Sequence, residues 1–84
     1  MKKAPDQEEM QHLAVNLQIA MNEKHWSQLD LAAAAGVQQS LISRILGGKN
    51  DPSLSAVSRL AKALSAKIDD LLSPPPRKKL RNAS

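Results

Sequence analysis

The stretch Trp26-Ser27-Gln28-Leu29-Asp30-Leu31-Ala32-Ala33-Ala34-Ala35-Gly36-Val37-Gln38-Gln39-Ser40-Leu41-Ile42-Ser43-Arg44-Ile45-Leu46-Gly47-Gly48-Lys49 decides the fold. Ser27 and Asp30 make a capping box that opens a short helix over about Gln28–Ala35. Gly36 closes it, since a helix commonly ends on a residue at positive φ. Trp26 precedes the cap and Leu31 is the fourth helical residue, the spacing of a hydrophobic staple, so Trp26 reads as a structural residue. A second short helix follows over about Gln39–Leu46 and stops at Gly47-Gly48. Stepped at about 100° per residue, Gln39, Ser40, Ser43, Arg44 and Gly47 share one side of it, and Leu41, Ile42, Ile45 and Leu46 share the other. The apolar side seats the helix on the protein. The outward side carries an amide, two hydroxyls, a guanidinium and no acid, where an ordinary solvated face mixes both signs of charge. Such a face suits contact with a polyanion.

Outward from this stretch the chain stays helical. Asp6 and Glu9 form an acidic capping box for a first helix, in which Met10, Leu13, Ala14, Leu17, Ala20 and Met21 fall within an arc of about 120°. Val15 and Ile19 lie off that arc, as surface apolars or in contact with a later helix, the sharper alternative being a partner surface. Ser53 caps a fourth helix over about 54–64, and a fifth lies near Ile68–Leu72, ended by Ser73-Pro74-Pro75-Pro76. The expected organisation is a mobile N-terminus at 1–5, one domain at 6–72, and a Pro-rich then basic flexible tail at 73–84.

Composition supports an all-α reading. Of 84 residues 42% are hydrophobic, most of them Leu or Ala; Phe and Tyr are absent and Trp26 is the sole aromatic, so residues that favour strands are scarce. A chain this short buries only about 60–65% of its unfolded surface, so its core is thin. The absence of cysteine fits a reducing cytoplasm, and the apolar runs are too short for a membrane span. The net charge of +4 is unevenly placed: residues 1–72 balance to zero, and Arg77, Lys78, Lys79 and Arg81 supply the whole excess. A claim of nucleic-acid binding must therefore rest on where side chains point and not on bulk charge. The tail is either an auxiliary DNA-backbone arm or a solubilising end. No catalytic or metal set is expected: His12 and His25 read as surface histidines without ligand spacing, and Asp69-Asp70 sit where acids favour a helix start. No cofactor is expected.

Two short helices joined by a tight Gly-containing turn form a helix-turn-helix, here at about residues 28–46. It requires a small residue at the crossing, a left-handed residue in the turn and apolar residues seating the second helix. Ala32, Gly36, Ile42 and Ile45 supply them in order. With Gly48-Lys49, Asp51-Pro52-Ser53-Leu54, Leu60-Ala61-Lys62-Ala63-Leu64 and Asp70-Leu71-Leu72, the chain over about 10–72 resembles the lambda-repressor/Cro-like, or Xre-like, helix-turn-helix family. Some positions depart from its pattern. Gln38 replaces an N-capping Ser or Thr, His25 and Ser65 stand at turn positions where Gly is common, Leu46 replaces an acidic or polar residue, and Met21 replaces a frequent Arg.

The resemblance implies a compact five-helix bundle whose third helix enters the major groove of double-stranded DNA. By position it implies base reading by Gln39, Ser40, Ser43 and Arg44, with backbone contact or bracing by Gln28, Gln38, Lys49 and Asn50. It implies a homodimer contact around Ile68, Leu71 and Leu72, and auxiliary contact from Arg77, Lys78, Lys79 and Arg81. The expected function is a cytoplasmic repressor on an inverted repeat. With Met1 at the start and no sensor domain in sight, it suits a stand-alone regulator of a bacterium, phage or plasmid. The alternatives are an antitoxin that binds a toxin protein and represses its own operon, or an activator that contacts RNA polymerase.

Overall fold

Side-chain caps set three of the five helix starts. In the computed structural model, which describes residues 6–49 and 52–75, α1 (Gln7–Lys24) opens on a reciprocal box: the Glu9 N–H donates to Asp6 Oδ1 at 2.8 Å and the Asp6 N–H to Glu9 Oε1 at 3.1 Å. α2 (Gln28–Ala35) repeats the device with Ser27 and Asp30. α3 (Gln39–Leu46) has no side-chain bond at Gln38, as the missing Ser or Thr implies. α4 (Leu54–Ala63) starts at Ser53, whose hydroxyl accepts from the Ala56 N–H. α5 (Ile68–Leu72) is a single short turn of helix without a side-chain N-cap.

The first four helices all close on a left-handed residue followed by a backbone hydrogen bond that reaches back five residues. The left-handed residues are His25 (φ 58°), Gly36 (71°), Gly48 (71°) and Ser65 (55°). The N–H groups of Trp26, Val37, Lys49 and Ala66, one position on, donate to the carbonyls of Met21, Ala32, Arg44 and Ala61. Glycine takes this conformation without a Cβ clash, whereas an L side chain there costs about 1–2 kcal/mol. His25→Gly and Ser65→Gly are therefore expected to stabilise the domain by roughly 0.5–1 kcal/mol each, once the extra freedom of glycine in the unfolded chain is subtracted. Urea melts of the single variants check this; destabilisation at either site would mean its side chain makes a contact worth more than the strain.

The five helices close a ring. α1 packs on α3 and α5, α2 on α3 and α4, and α4 on α5. Leu13, Leu17, Leu31, Ile42, Ile45, Val57 and Leu60 are fully buried at its centre. Trp26 is half-buried against this cluster, and the Lys24 ammonium stands 5.2 Å from its ring centroid, so its role is structural.

Three details differ from the sequence reading. On α1 the buried set is Leu13, Asn16, Leu17 and Met21, with Met10, Ala14 and Ala20 only half-buried. The arc expected from apolar residues alone passes over an amide that the core admits because it is hydrogen-bonded. α4 ends at Ala63, and Leu64 is a buried cap residue. His12 is not a plain surface histidine, since its ring meets the Leu72 carbonyl at 3.1 Å.

Among the described residues there is no strand, no helix long and apolar enough to cross a membrane, and no cluster of three potential metal ligands.

Candidate nucleic-acid interface

The site is built by α2, the turn Gly36-Val37-Gln38, and α3. Ala32 is buried at the crossing, Gly36 takes the left-handed turn conformation, and Ile42 and Ile45 are fully buried beneath α3. Arg59 of α4 donates from Nη1 to the Gly36 carbonyl at 3.4 Å, a long bond that ties α4 to the turn.

With its apolar side seated, α3 has only one way to face. Gln39, Ser40, Ser43 and Arg44 are all exposed. Gln39, Ser43 and Arg44 form no side-chain hydrogen bond or ion pair within the described residues, so their polar groups are available to an external ligand. Ser40 Oγ lies 3.4 Å from Gln38 Oε1. Gln28 is half-buried at the start of α2, and Gln38 is exposed in the turn. At the far end of α3, Gly48 and Lys49 wrap its C-terminus: the Gly48 N–H donates to the Ile45 carbonyl and the Lys49 N–H to the Arg44 carbonyl. Lys49 is exposed there. α3 carries no acidic residue, and Asp30 of α2 is engaged by its capping box through the Ser27 N–H. Arg44 and Lys49 thus leave the described part of this surface cationic, although the domain as a whole is balanced.

The structure brings Gln28, Gln38, Gln39, Ser40, Ser43, Arg44 and Lys49 onto the α2–α3 module. Asn50 and the tail residues Arg77, Lys78, Lys79 and Arg81 lie outside the described residues, as does the N-terminal segment 1–5. Of the three residues implied for a dimer contact, Leu71 is only 4% exposed because α5 lies across α1 and turns it into the core. Ile68 and Leu72 remain half-buried. Val15 is exposed and Ile19 half-buried; with Ala14, Gln18 and Leu46 of α3 they line a shallow, mostly apolar groove.

The arrangement defines a helix-turn-helix module that presents an acid-free helix to its surroundings. The helix-turn-helix family matches the chain over residues 17–71, and the chain belongs to that family, in its lambda-repressor/Cro type. It is a DNA-binding transcriptional regulator. Among solved structures it is similar to a hypothetical transcription factor, NHTF, from Neisseria, with 28% identity and a TM-score of 0.77, covering 98% of this chain and 94% of that one. No curated protein matches the chain.

Proposed function

We propose that the protein is a sequence-specific repressor that binds an inverted repeat as a homodimer, with α3 in the major groove of each half-site. The observation that carries this reading is the exposed, acid-free set Gln39, Ser40, Ser43 and Arg44 above a fully apolar seat, of which only Ser40 has a side-chain hydrogen bond within the described residues, a long one to Gln38. Gln39 suits the paired donor and acceptor of an adenine edge, and Arg44 suits a guanine edge or a phosphate. Gln28, Gln38 and Lys49 flank the helix and suit backbone contacts, which set register without reading sequence. A single eight-residue helix spans only a few base pairs. Two copies about 34 Å apart give the length of sequence that useful selectivity needs. A repressor is the reading in which occupancy is sufficient, because a domain bound over a promoter excludes polymerase without any further contact.

Selection of bound duplexes from a random pool, followed by footprinting, tests the reading. The expected result is one enriched inverted repeat, protected as two half-sites a helical turn apart, and lower output from a promoter carrying it. Enrichment without a symmetric motif would overturn the dimeric arrangement, and raised output would overturn repression.

The tail makes a separate prediction. A chain ending at Pro75 lacks all four excess cations. It is expected to rank DNA sequences as the full chain does, with affinity reduced alike on specific and random DNA. For every phosphate that the tail neutralises, its removal should reduce the salt slope of binding by about 0.9. An unchanged slope assigns the tail to solubility alone, and an altered ranking means that it reads bases.

A further inference from the structure

Side chains of α1 clamp the end of α5. Asn16 Nδ2 donates to the carbonyls of Leu71 and Ser73, both at 2.8 Å, and reaches that of Asp70 at 3.2 Å. His12 Nδ1 meets the Leu72 carbonyl at 3.1 Å; a carbonyl only accepts, so the ring proton sits on Nδ1. These bonds satisfy carbonyls that a helix of five residues leaves without internal partners. They also fix where the chain leaves the helix ring. Ser73 is held against α1 beside Asn16, and Pro75, two residues on, is half-buried.

The clamp puts this exit next to the groove of Ala14, Val15, Gln18, Ile19 and Leu46. Val15 and Ile19 follow His12 and Asn16 by three residues each, so they are their neighbours around α1. Val15 is 42% exposed, and Gln18, the polar member of the lining, donates its amide to Asn22 Oδ1 at 3.2 Å. The groove therefore offers mainly carbon surface, which suits an apolar side chain. Beyond Pro75 the one large aliphatic residue is Leu80, flanked by Arg77, Lys78, Lys79 and Arg81. Leu80 is the fifth residue after Pro75, a reach of about 15 Å even in the polyproline conformation. Crossing the outer side of α1 takes no more than a helix diameter, about 10–12 Å. Charge is complementary as well. From Gln7 to Glu23, α1 carries Glu8, Glu9 and Glu23 and neither Lys nor Arg, whereas the residues after Pro75 carry four cations and no acid. We propose that Leu80 of the chain's own C-terminal segment seats in this groove, against Val15 and Ile19, with its flanking cations drawn to the acidic helix. Docking gives the segment a place on the domain that does not depend on DNA.

Methyl NMR of the full chain, without DNA, tests this. Contacts between the Leu80 methyls and those of Val15 and Ile19 are expected, at a strength that does not change with protein concentration. Val15→Ser alters an exposed residue and leaves both the core and the C-terminal segment as they are. It is expected to weaken these contacts and to speed tryptic cleavage after Arg77, Lys78, Lys79 and Arg81 about threefold, the effect of losing part of one side chain's apolar contact. Leu29→Ser, at an exposed apolar residue of α2, is expected to leave the cleavage rate unchanged. Absence of any Leu80 contact in the groove, or equal cleavage rates in the wild type and Val15→Ser, overturns the proposal. So does equal acceleration by Leu29→Ser, which would mean that the segment meets apolar surface without selection. Contacts that vanish on dilution would put a second copy's segment in the groove, and contacts from Met1 would assign it to the N-terminal segment; either result also overturns the proposal.

Discussion

Ile45→Ala is expected to lower the unfolding free energy by about 2–5 kcal/mol, the usual cost of deleting a buried branched side chain and leaving a cavity. Ile45 is fully buried beneath α3 at the centre of the helix ring, where α1 and α2 both pack on that helix. A domain of this size has roughly 4–10 kcal/mol of total stability, so the variant stands near the edge of folding. The cost also reaches function, since the outward side chains of α3 are aimed by the seat below them. Urea denaturation read through Trp26 and far-ultraviolet dichroism checks the prediction. A loss under about 1 kcal/mol would mean that the seat repacks around the missing atoms, and that the orientation of α3 does not depend on Ile45.

Gln39→Ala is expected to weaken specific binding by roughly 1–3 kcal/mol and to relax preference at one symmetric pair of operator positions. Gln39 opens α3 and is exposed, and its side chain has no hydrogen-bond partner within the described residues, so binding DNA need not first break an internal side-chain contact. Its removal leaves the apolar seat untouched, and stability should change by less than about 0.5 kcal/mol. Titrations of the selected repeat, and of duplexes changed one base pair at a time, measure both effects. An equal loss on every sequence would make Gln39 a backbone contact and move base reading to Ser40, Ser43 and Arg44.

These two experiments probe the part of the molecule that was most legible from its residues. The limits of α2, α3 and α5 agree with the capping and periodicity reading, because their signals are local: Ser27 with Asp30, Gly36, and the Gly47-Gly48 stop all act within one or two turns. The two sides of α3 were legible for a related reason. Its apolar and polar residues separate without overlap at the helical period, so burying one side exposes the other. The departures from the family pattern also carried structural information. His25 and Ser65 do take the left-handed conformation in place of glycine, and Gln38 leaves α3 without a side-chain cap. Met21 and Leu46, which replace a frequent Arg and a usually polar residue, lie on α1 and α3, two helices that pack together. Met21 is buried in the core and Leu46 is half-buried against it, so this packing is apolar.

Asn16 was not legible, because the rule that buries apolar residues and exposes polar ones has no place for it. Its neighbours on α1 give no reason to bury an amide. The reason lies more than fifty residues away, in the unpaired carbonyls of α5. The one local signal is the pair His12 and Asn16, one turn apart at the edge of the apolar arc, which marks the side of α1 on which another backbone docks. Leu71 shows the same limit from the other direction. On α5 alone it is indistinguishable from Ile68 and Leu72, and only the crossing of α5 over α1 buries it and leaves the other two partly exposed.

The sequence by itself determined that the chain is helical, where α1, α2 and α4 are N-capped, and which side chains of α3 face outward. Those outcomes follow from backbone dihedrals, first-turn hydrogen bonds and the 3.6-residue period, all of which act over a few neighbouring residues. Only the tertiary structure decided how the ring closes, which apolar residue of α5 is buried, and why an amide belongs in the core. Those outcomes depend on pairing groups distant along the chain. A buried donor is tolerated only when the acceptors it meets have themselves lost water and lack other partners, a condition that no local pattern of residues encodes.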